Sequence, residues 1–80
     1  MFQNILRLPA VRAATGLSRS TIYLRIQKGL WTTPVSLGGR AKGWPEKEVA
    51  AINAARIAGK TDDEIRALVQ KLTVSRREAA

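Results

Sequence analysis

Two predicted helices lie only three residues apart near the start of the chain, and this short separation restricts the fold more than any other feature. Pro9 suits the first turn of a helix, where its missing N–H costs nothing, so a helix is predicted over residues 9–15. Gly16 ends this helix, and Ser18 is a favourable N-cap for a second helix over residues 19–28. Two helices joined by so short a turn must cross, as they do in a helix-turn-helix.

The apolar residues of both helices predict which faces meet at this crossing. Helical spacing predicts five residues on the buried sides of the two helices: Leu8, Val11, Ala14, Ile22 and Ile26. Arg12 stands where many such motifs have a small residue. It implies either a more open crossing or a side chain that extends into solvent.

Residues 30–44 have a different periodicity, which predicts a small β-hairpin. Residues 35–37 alternate as in a strand, Gly38-Gly39 suits a tight turn, and residues 40–44 supply a basic return strand. Trp31 and Trp44 flank the hairpin and are expected in the core rather than on a base-stacking surface. A helix-turn-helix followed by a hairpin is the layout of a winged helix.

Residues that favour helix starts and ends recur after the hairpin. Pro45 is expected to begin a third helix at its first position, and Gly59 ends it. Thr61–Glu64 forms a capping box, which predicts a fourth helix over residues 62–72. Residues 73–80 are polar and are expected to fray.

These elements predict an α+β, mainly helical fold: a small winged helix-turn-helix with a short β-hairpin wing and an additional C-terminal helix. Residues 2–8 supply a short extended lead-in. The predicted divisions are a winged helix-turn-helix over 1–59, a helical extension over 60–73 and a flexible tail over 74–80. The fourth helix carries an apolar stripe of Ile65, Leu68, Val69 and Leu72. This stripe either packs on the chain's own helices, as a chain of this size requires, or docks on a neighbouring copy.

Charge is distributed unevenly along the chain. Residues 1–45 carry seven basic side chains and no acidic one, a charge of +7, whereas residues 46–80 carry seven basic and six acidic side chains, a charge of +1. The first group is Arg7, Arg12, Arg19, Arg25, Lys28, Arg40 and Lys42. A folded domain with this polarity attracts polyanions, and each contact of Lys or Arg with a phosphate releases counterions.

Composition argues against several other classes of protein. The chain has no His and no Cys, so it lacks the commonest general base and thiolate metal ligands, and we expect neither an enzyme nor a metal or other cofactor. The acids of Asp62-Asp63-Glu64 are expected to cap a helix rather than bind a metal. No apolar run approaches the roughly 20 residues that span a bilayer, and no signal peptide is evident, so a cytoplasmic, nucleoid-associated protein without a membrane partner is expected.

A wider pattern of residues resembles a known family. Its elements are Leu6–Leu8, Val11, Thr15–Tyr23, Lys28-Gly29, Pro34–Arg40, Gly43-Trp44 and Glu48-Val49. Over residues 5–58 the chain resembles the AlpA family of prophage and genomic-island regulators, which is related to excisionases with a MerR-like winged helix. The resemblance implies a recognition helix at 19–28, a wing at 38–42, and a role in activating recombination genes or as a recombination directionality factor. A Trp often seen in the third helix of the family is replaced by Ile52.

The predicted DNA-binding residues are Ser18, Arg19, Ser20, Thr21, Tyr23, Arg25, Lys28, Arg40 and Lys42. Arg19 and Thr21, in the first turn of the recognition helix, are predicted to read bases, while Arg25 and Lys28 hold the backbone.

The remaining predicted contacts concern the wing. Arg40 and Lys42 lie at its tip, where they suit minor-groove or backbone contacts. The Tyr23 hydroxyl either contacts a phosphate or packs against the wing.

The predicted partner is double-stranded DNA, with self-association on DNA and an integrase as further candidates. The alternative is a protein-interaction adaptor that uses the C-terminal amphipathic helix and has little salt-dependent affinity for DNA. RNA is less favoured, because no exposed aromatic pair on a sheet is evident.

Overall fold

A computed structural model describes residues 4–78 of the chain and confirms the α+β, mainly helical class. The described residues form three short strands and four helices: β1 (Ile5–Leu6), α1 (Leu8–Thr15), α2 (Arg19–Gln27), β2 (Val35–Ser36), β3 (Lys42–Pro45), α3 (Glu46–Ile57) and α4 (Asp62–Glu78). Residues 2–3 of the predicted lead-in and residues 79–80 of the predicted tail lie outside the described residues.

The turn between α1 and α2 forms as its sequence predicts. Gly16 has a left-handed φ of 72°, and its N–H donates to the carbonyl of Arg12. Val11 and Ile22 are fully buried at the crossing, and the side chain of Arg12 is exposed.

One prediction for α1 is wrong: Ala14 is exposed. The buried side of this helix follows Val11 and Thr15, which are four residues apart. The carbonyl of Ala14 instead accepts a 3.0 Å hydrogen bond from the side-chain amide of Asn53 on α3.

The sheet is antiparallel in the order β1-β3-β2, so β1 adds a third strand to the predicted hairpin. Leu6 pairs with Trp44, and Val35 pairs with Gly43. Gly43 is required at this position, because a Cβ there would lie 2.9 Å from the Leu6 carbonyl oxygen. Only glycine therefore fits at this position, where β3 passes close to the backbone of β1.

Pro45 does not open α3 as predicted, since it is the last residue of β3 and the N-cap of the helix. Its pairing with Ile5 on β1 holds it in the sheet. The N–H of Glu46 donates to the carbonyl of Asn4, which continues this pairing into the first helical residue. Strand and helix are therefore joined directly, and the wing is attached to α3 without a flexible linker.

The fourth helix is longer than predicted. It continues to Glu78, so residues 73–78 are helical rather than frayed. The guanidinium of Arg76 accounts for the extra turns, because it binds the carboxylate of Glu48 and the carbonyl of Thr33. These are contacts with distant parts of the chain, and the polar composition of residues 73–78 alone does not reveal them.

One apolar core connects all four helices and the sheet. Its buried members are Val11, Ile22, Leu30, Trp31, Trp44, Val49, Ile52, Ile65 and Val69. The two tryptophans are only 2% and 1% exposed, which confirms their predicted place in the core.

The apolar stripe of α4 packs on the chain's own helices. Ile65 and Val69 are buried, and Leu68 and Leu72 pack against the same core. The sequence allowed either packing within the chain or docking on a neighbouring copy, and the structure shows packing within the chain. The stripe therefore does not offer a free face to a neighbouring copy.

Candidate nucleic-acid interface

A groove of about 610 Å³ runs between α2 and the wing. The residues that line it are Arg7, Leu8, Pro9, Arg19, Tyr23, Gly39, Arg40, Lys42 and Trp44. Four of these side chains are basic and none is acidic, so the potential within the groove is positive. A concave surface of one sign concentrates the field and attracts oppositely charged partners.

Arg19, Tyr23 and Trp44 all line the groove and form a stack of side chains that contact one another. The guanidinium carbon of Arg19 lies 5.7 Å from the centroid of the Tyr23 ring, within the range of a cation–π contact. The Tyr23 ring meets that of Trp44 edge to face, with centroids 6.4 Å apart. The indole N–H of Trp44 donates to the carbonyl of Thr32 at 2.9 Å, so the core holds the stack in place. Tyr23 thus packs towards the wing strand while still lining the groove.

Other residues of the groove lie on the wing. Arg40 lies in the turn between β2 and β3 rather than in the return strand, and Lys42 is the first residue of β3. Arg7 joins them, because its Nε donates to the carbonyl of Lys42 at 3.0 Å. Arg7 is not among the DNA-binding residues predicted from the sequence. Its place in the acid-free part of the chain was the only available signal, since the pairing of β1 with β3 brings it to the wing.

The N-terminus of α2 has a well-formed cap. The Ser18 hydroxyl accepts a 3.2 Å hydrogen bond from the Thr21 N–H and lies 3.0 Å from the Thr21 hydroxyl. The side chains of Ser18 and Thr21 therefore engage each other. Arg19 and Ser20, in the same turn, are exposed.

The outward face of α2 includes two residues that were not predicted to contact DNA. At about 100° per residue, Ser20, Leu24 and Gln27 lie on the side of the helix opposite the buried Ile22. All three are exposed, and Leu24 is 48% exposed despite its apolar side chain. The helical periodicity that predicts a buried Ile22 also predicts that Leu24 and Gln27 face outward, so these two residues were predictable from the sequence.

Arg25 and Lys28 lie away from the groove. Arg25 lines a separate hollow of about 310 Å³ on the other flank of α2, together with Trp31 and Asn53. Lys28 follows the last residue of α2 and is exposed, and its carbonyl accepts a hydrogen bond from Arg66. Of the nine predicted site residues, the structure thus brings Arg19, Tyr23, Arg40 and Lys42 into one groove, and the other five lie along α2 and at its ends.

The acids at the start of α4 form a cap. The Thr61 N–H donates to the Glu64 carboxylate at 3.0 Å, and the Glu64 N–H donates to the Thr61 hydroxyl at 3.2 Å. Hydrogen bonding to the carboxylate, first from the Thr61 backbone N–H and then from the Thr61 side chain, lowers the pKa of Glu64 below its ordinary value of 4.5. Residues 4–78 contain no cluster of three side chains that could hold a metal ion. Nor does any helix within them have the length and apolar character needed to cross a membrane.

The fold and the basic groove define a small winged helix-turn-helix protein. A family model described as "Prophage CP4-57 regulatory protein (AlpA)" matches residues 4–56. The chain therefore belongs to the AlpA family of prophage regulatory proteins.

A similar protein is known from a phage. "Uncharacterized protein ORF88" of Enterobacteria phage P4 is 50% identical over 58 residues, which is 72% of this chain and 66% of the relative. The aligned segment thus spans just under two thirds of that relative. No solved structure matches the chain.

Proposed function

We propose that this protein binds duplex DNA at specific sites and acts as a transcriptional regulator, a recombination directionality factor, or both, in a mobile genetic element. The observation that carries the proposal is the groove between α2 and the wing, in which four basic side chains meet without an acidic one. A phosphate backbone is the polyanion that such a surface suits, and membership of a prophage regulatory family agrees with it.

In this proposal the exposed face of α2 reads the bases. Arg19 is long enough to reach a guanine edge, and Gln27 has the amide that pairs with adenine. Leu24 offers an apolar contact for a thymine methyl group, which explains an exposed leucine on an otherwise polar face. Thr21 remains a predicted base contact. To contact a base, its hydroxyl must either break its hydrogen bond with the Ser18 hydroxyl or form a second one beside it.

Phosphate contacts supply most of the affinity. Arg7, Arg40 and Lys42 hold the strand next to the wing, while Arg25 and Lys28 hold the strand on the other flank of α2. The hydroxyls of Tyr23 and Ser20 are further candidates for these contacts.

Several copies on adjacent sites are expected, because one domain of this size contacts little DNA. The stripe of α4 lies in the core, so a contact between copies uses another surface. An integrase is the expected partner if the protein directs recombination.

Selection of bound sequences from a random duplex library tests the proposal. Arg19→Ala should then weaken binding to the selected duplex by about 1–3 kcal/mol and relax the preference at one or two positions. Arg77→Ala, which removes an exposed charge from α4, is the matched control and should leave the preference unchanged.

Two outcomes would contradict the proposal. Equal weakening of selected and random duplexes by Arg19→Ala would remove its base-reading role. A wild-type chain that enriches no sequence and shows no salt-dependent affinity would favour the protein-interaction adaptor instead.

A further inference from the structure

Two arginines of α4 hold the two ends of the connection between the recognition helix and the wing. The Nε of Arg66 donates to the carbonyl of Lys28 at 2.9 Å, directly after α2. The Nη2 of Arg76 donates to the carbonyl of Thr33 at 2.8 Å, shortly before β2. Residues 28–33 thus lie between two guanidinium groups presented by one rigid helix.

Each guanidinium also contacts a carboxylate. Arg66 is paired with Asp63 on its own helix at 3.2 Å. Arg76 forms a bidentate contact with Glu48 on α3, with N···O distances of 2.7 and 2.6 Å. Glu48 is only 4% exposed. Paired N–H···O bonds of this kind define the orientation of both groups, which a lysine ammonium does not reproduce.

The segment between these two contacts is itself buried. Leu30, Trp31 and Thr32 are at most 5% exposed, and the Thr32 carbonyl accepts the indole N–H of Trp44. Because Trp44 lies on the wing strand and lines the groove, this hydrogen bond links residues 30–33 to the wing. α4 thus contacts both ends of the segment that joins α2 to the wing.

We propose that Arg66 and Arg76 are positioning residues for DNA specificity, which makes α4 part of the recognition apparatus without contact with the bases. The inference rests on the proposed function and extends it to a helix outside residues 4–56, the segment that matches the family. Neither arginine lines the groove. Base contacts need a fixed geometry, whereas long basic side chains follow a displaced phosphate, so loosening residues 28–33 weakens specific binding more than random binding.

The test compares a double variant, Arg66→Lys with Arg76→Lys, to the control Arg77→Lys on the exposed side of the same helix. All three substitutions preserve charge, so the dependence of affinity on salt should not change. The ratio of Kd for a scrambled duplex to Kd for the selected duplex should fall about tenfold in the double variant, which is the loss of about one base contact. The control should keep the wild-type ratio.

Binding is measured well below the melting temperature of every variant, because a purely structural role lowers Tm but leaves this ratio unchanged. Arg66→Lys alone is the second variant if the double variant does not fold, since the Arg66 side chain is 43% exposed, and its ratio should fall about threefold.

The inference would be overturned if the wild-type chain discriminates between the duplexes and the folded variants keep the same ratio of Kd values. The proposed function would remain intact in that case. A wild-type chain that does not discriminate would overturn both.

Discussion

Residues 4–45 and residues 46–78 use their charged side chains in opposite ways. Every ion pair among the described residues lies in the second part: Arg56–Asp62, Lys60–Glu64, Arg66–Asp63 and Arg76–Glu48. The basic residues of the first part have no acidic neighbour in sequence, and four of them line the groove. The first part thus forms no ion pair among the described residues, while the second part neutralises much of its charge internally.

The difference shows that arginine can either form an internal ion pair or contribute to an open basic surface, according to whether folding places a carboxylate beside it. Exposed pairs such as Lys60–Glu64, at 3.9 Å, contribute little to stability and are screened by salt. The Arg76–Glu48 pair is largely buried and bidentate, so it fixes the orientation of both side chains. The arginines of the groove form no ion pair with any of residues 4–78, and in the proposed function they bind phosphate.

The largest expected effect comes from removing α4. Truncation after Gly59 deletes Ile65 and Val69 from the core and leaves Glu48 without Arg76, so we expect the remaining chain to be unfolded at room temperature. Circular dichroism and urea titration would measure this, with truncation after Glu78 as the control. A truncated chain that unfolds cooperatively and binds DNA would instead support residues 1–59 as an independent domain.

The next effect concerns the wing. Replacing Arg40 and Lys42 with Ala should flatten the slope of log affinity against log salt by roughly two units, because each phosphate contact contributes about one. Replacing Lys60 and Lys71 with Ala removes the same charge from the second part and should change the slope little. Equal slopes in the two double variants would mean that total charge, rather than the groove, governs binding.

The smallest effect concerns Glu64. Its folded-state pKa lies below the ordinary value of 4.5, so this carboxylate contributes stability above that value, and the contribution is lost as pH falls through the folded pKa. Glu64→Gln should therefore destabilise the protein slightly near about pH 6 and have no effect near about pH 2. Urea midpoints across this range would measure the difference, with Glu78→Gln as a charge-matched control. A difference that persists at the acid end would point to a cause other than ionisation.

Much of the fold was predictable from local sequence, because its helices begin and end at residues with strong individual preferences. Gly16, Ser18 and the capping box at Thr61–Glu64 each act within three or four residues, and each forms as predicted. The core positions of Trp31 and Trp44 followed from size and apolarity alone. Groove residues on α2 and the wing followed from the charge pattern and from helical periodicity.

Contacts between distant residues were not predictable in this way. Arg7 reaches the wing through the pairing of β1 with β3, and Pro45 belongs to the sheet for the same reason. The last turns of α4 are held by Glu48 and Thr33, which are 28 and 43 residues away from Arg76. The sequence by itself determined the turn at Gly16, the helix starts at Ser18 and Thr61, and the sign of the charged surface, since these depend on neighbours along the chain. Only the tertiary structure decided which cations pair internally and which face the groove, because that depends on which acids and carbonyls folding brings within hydrogen-bond distance.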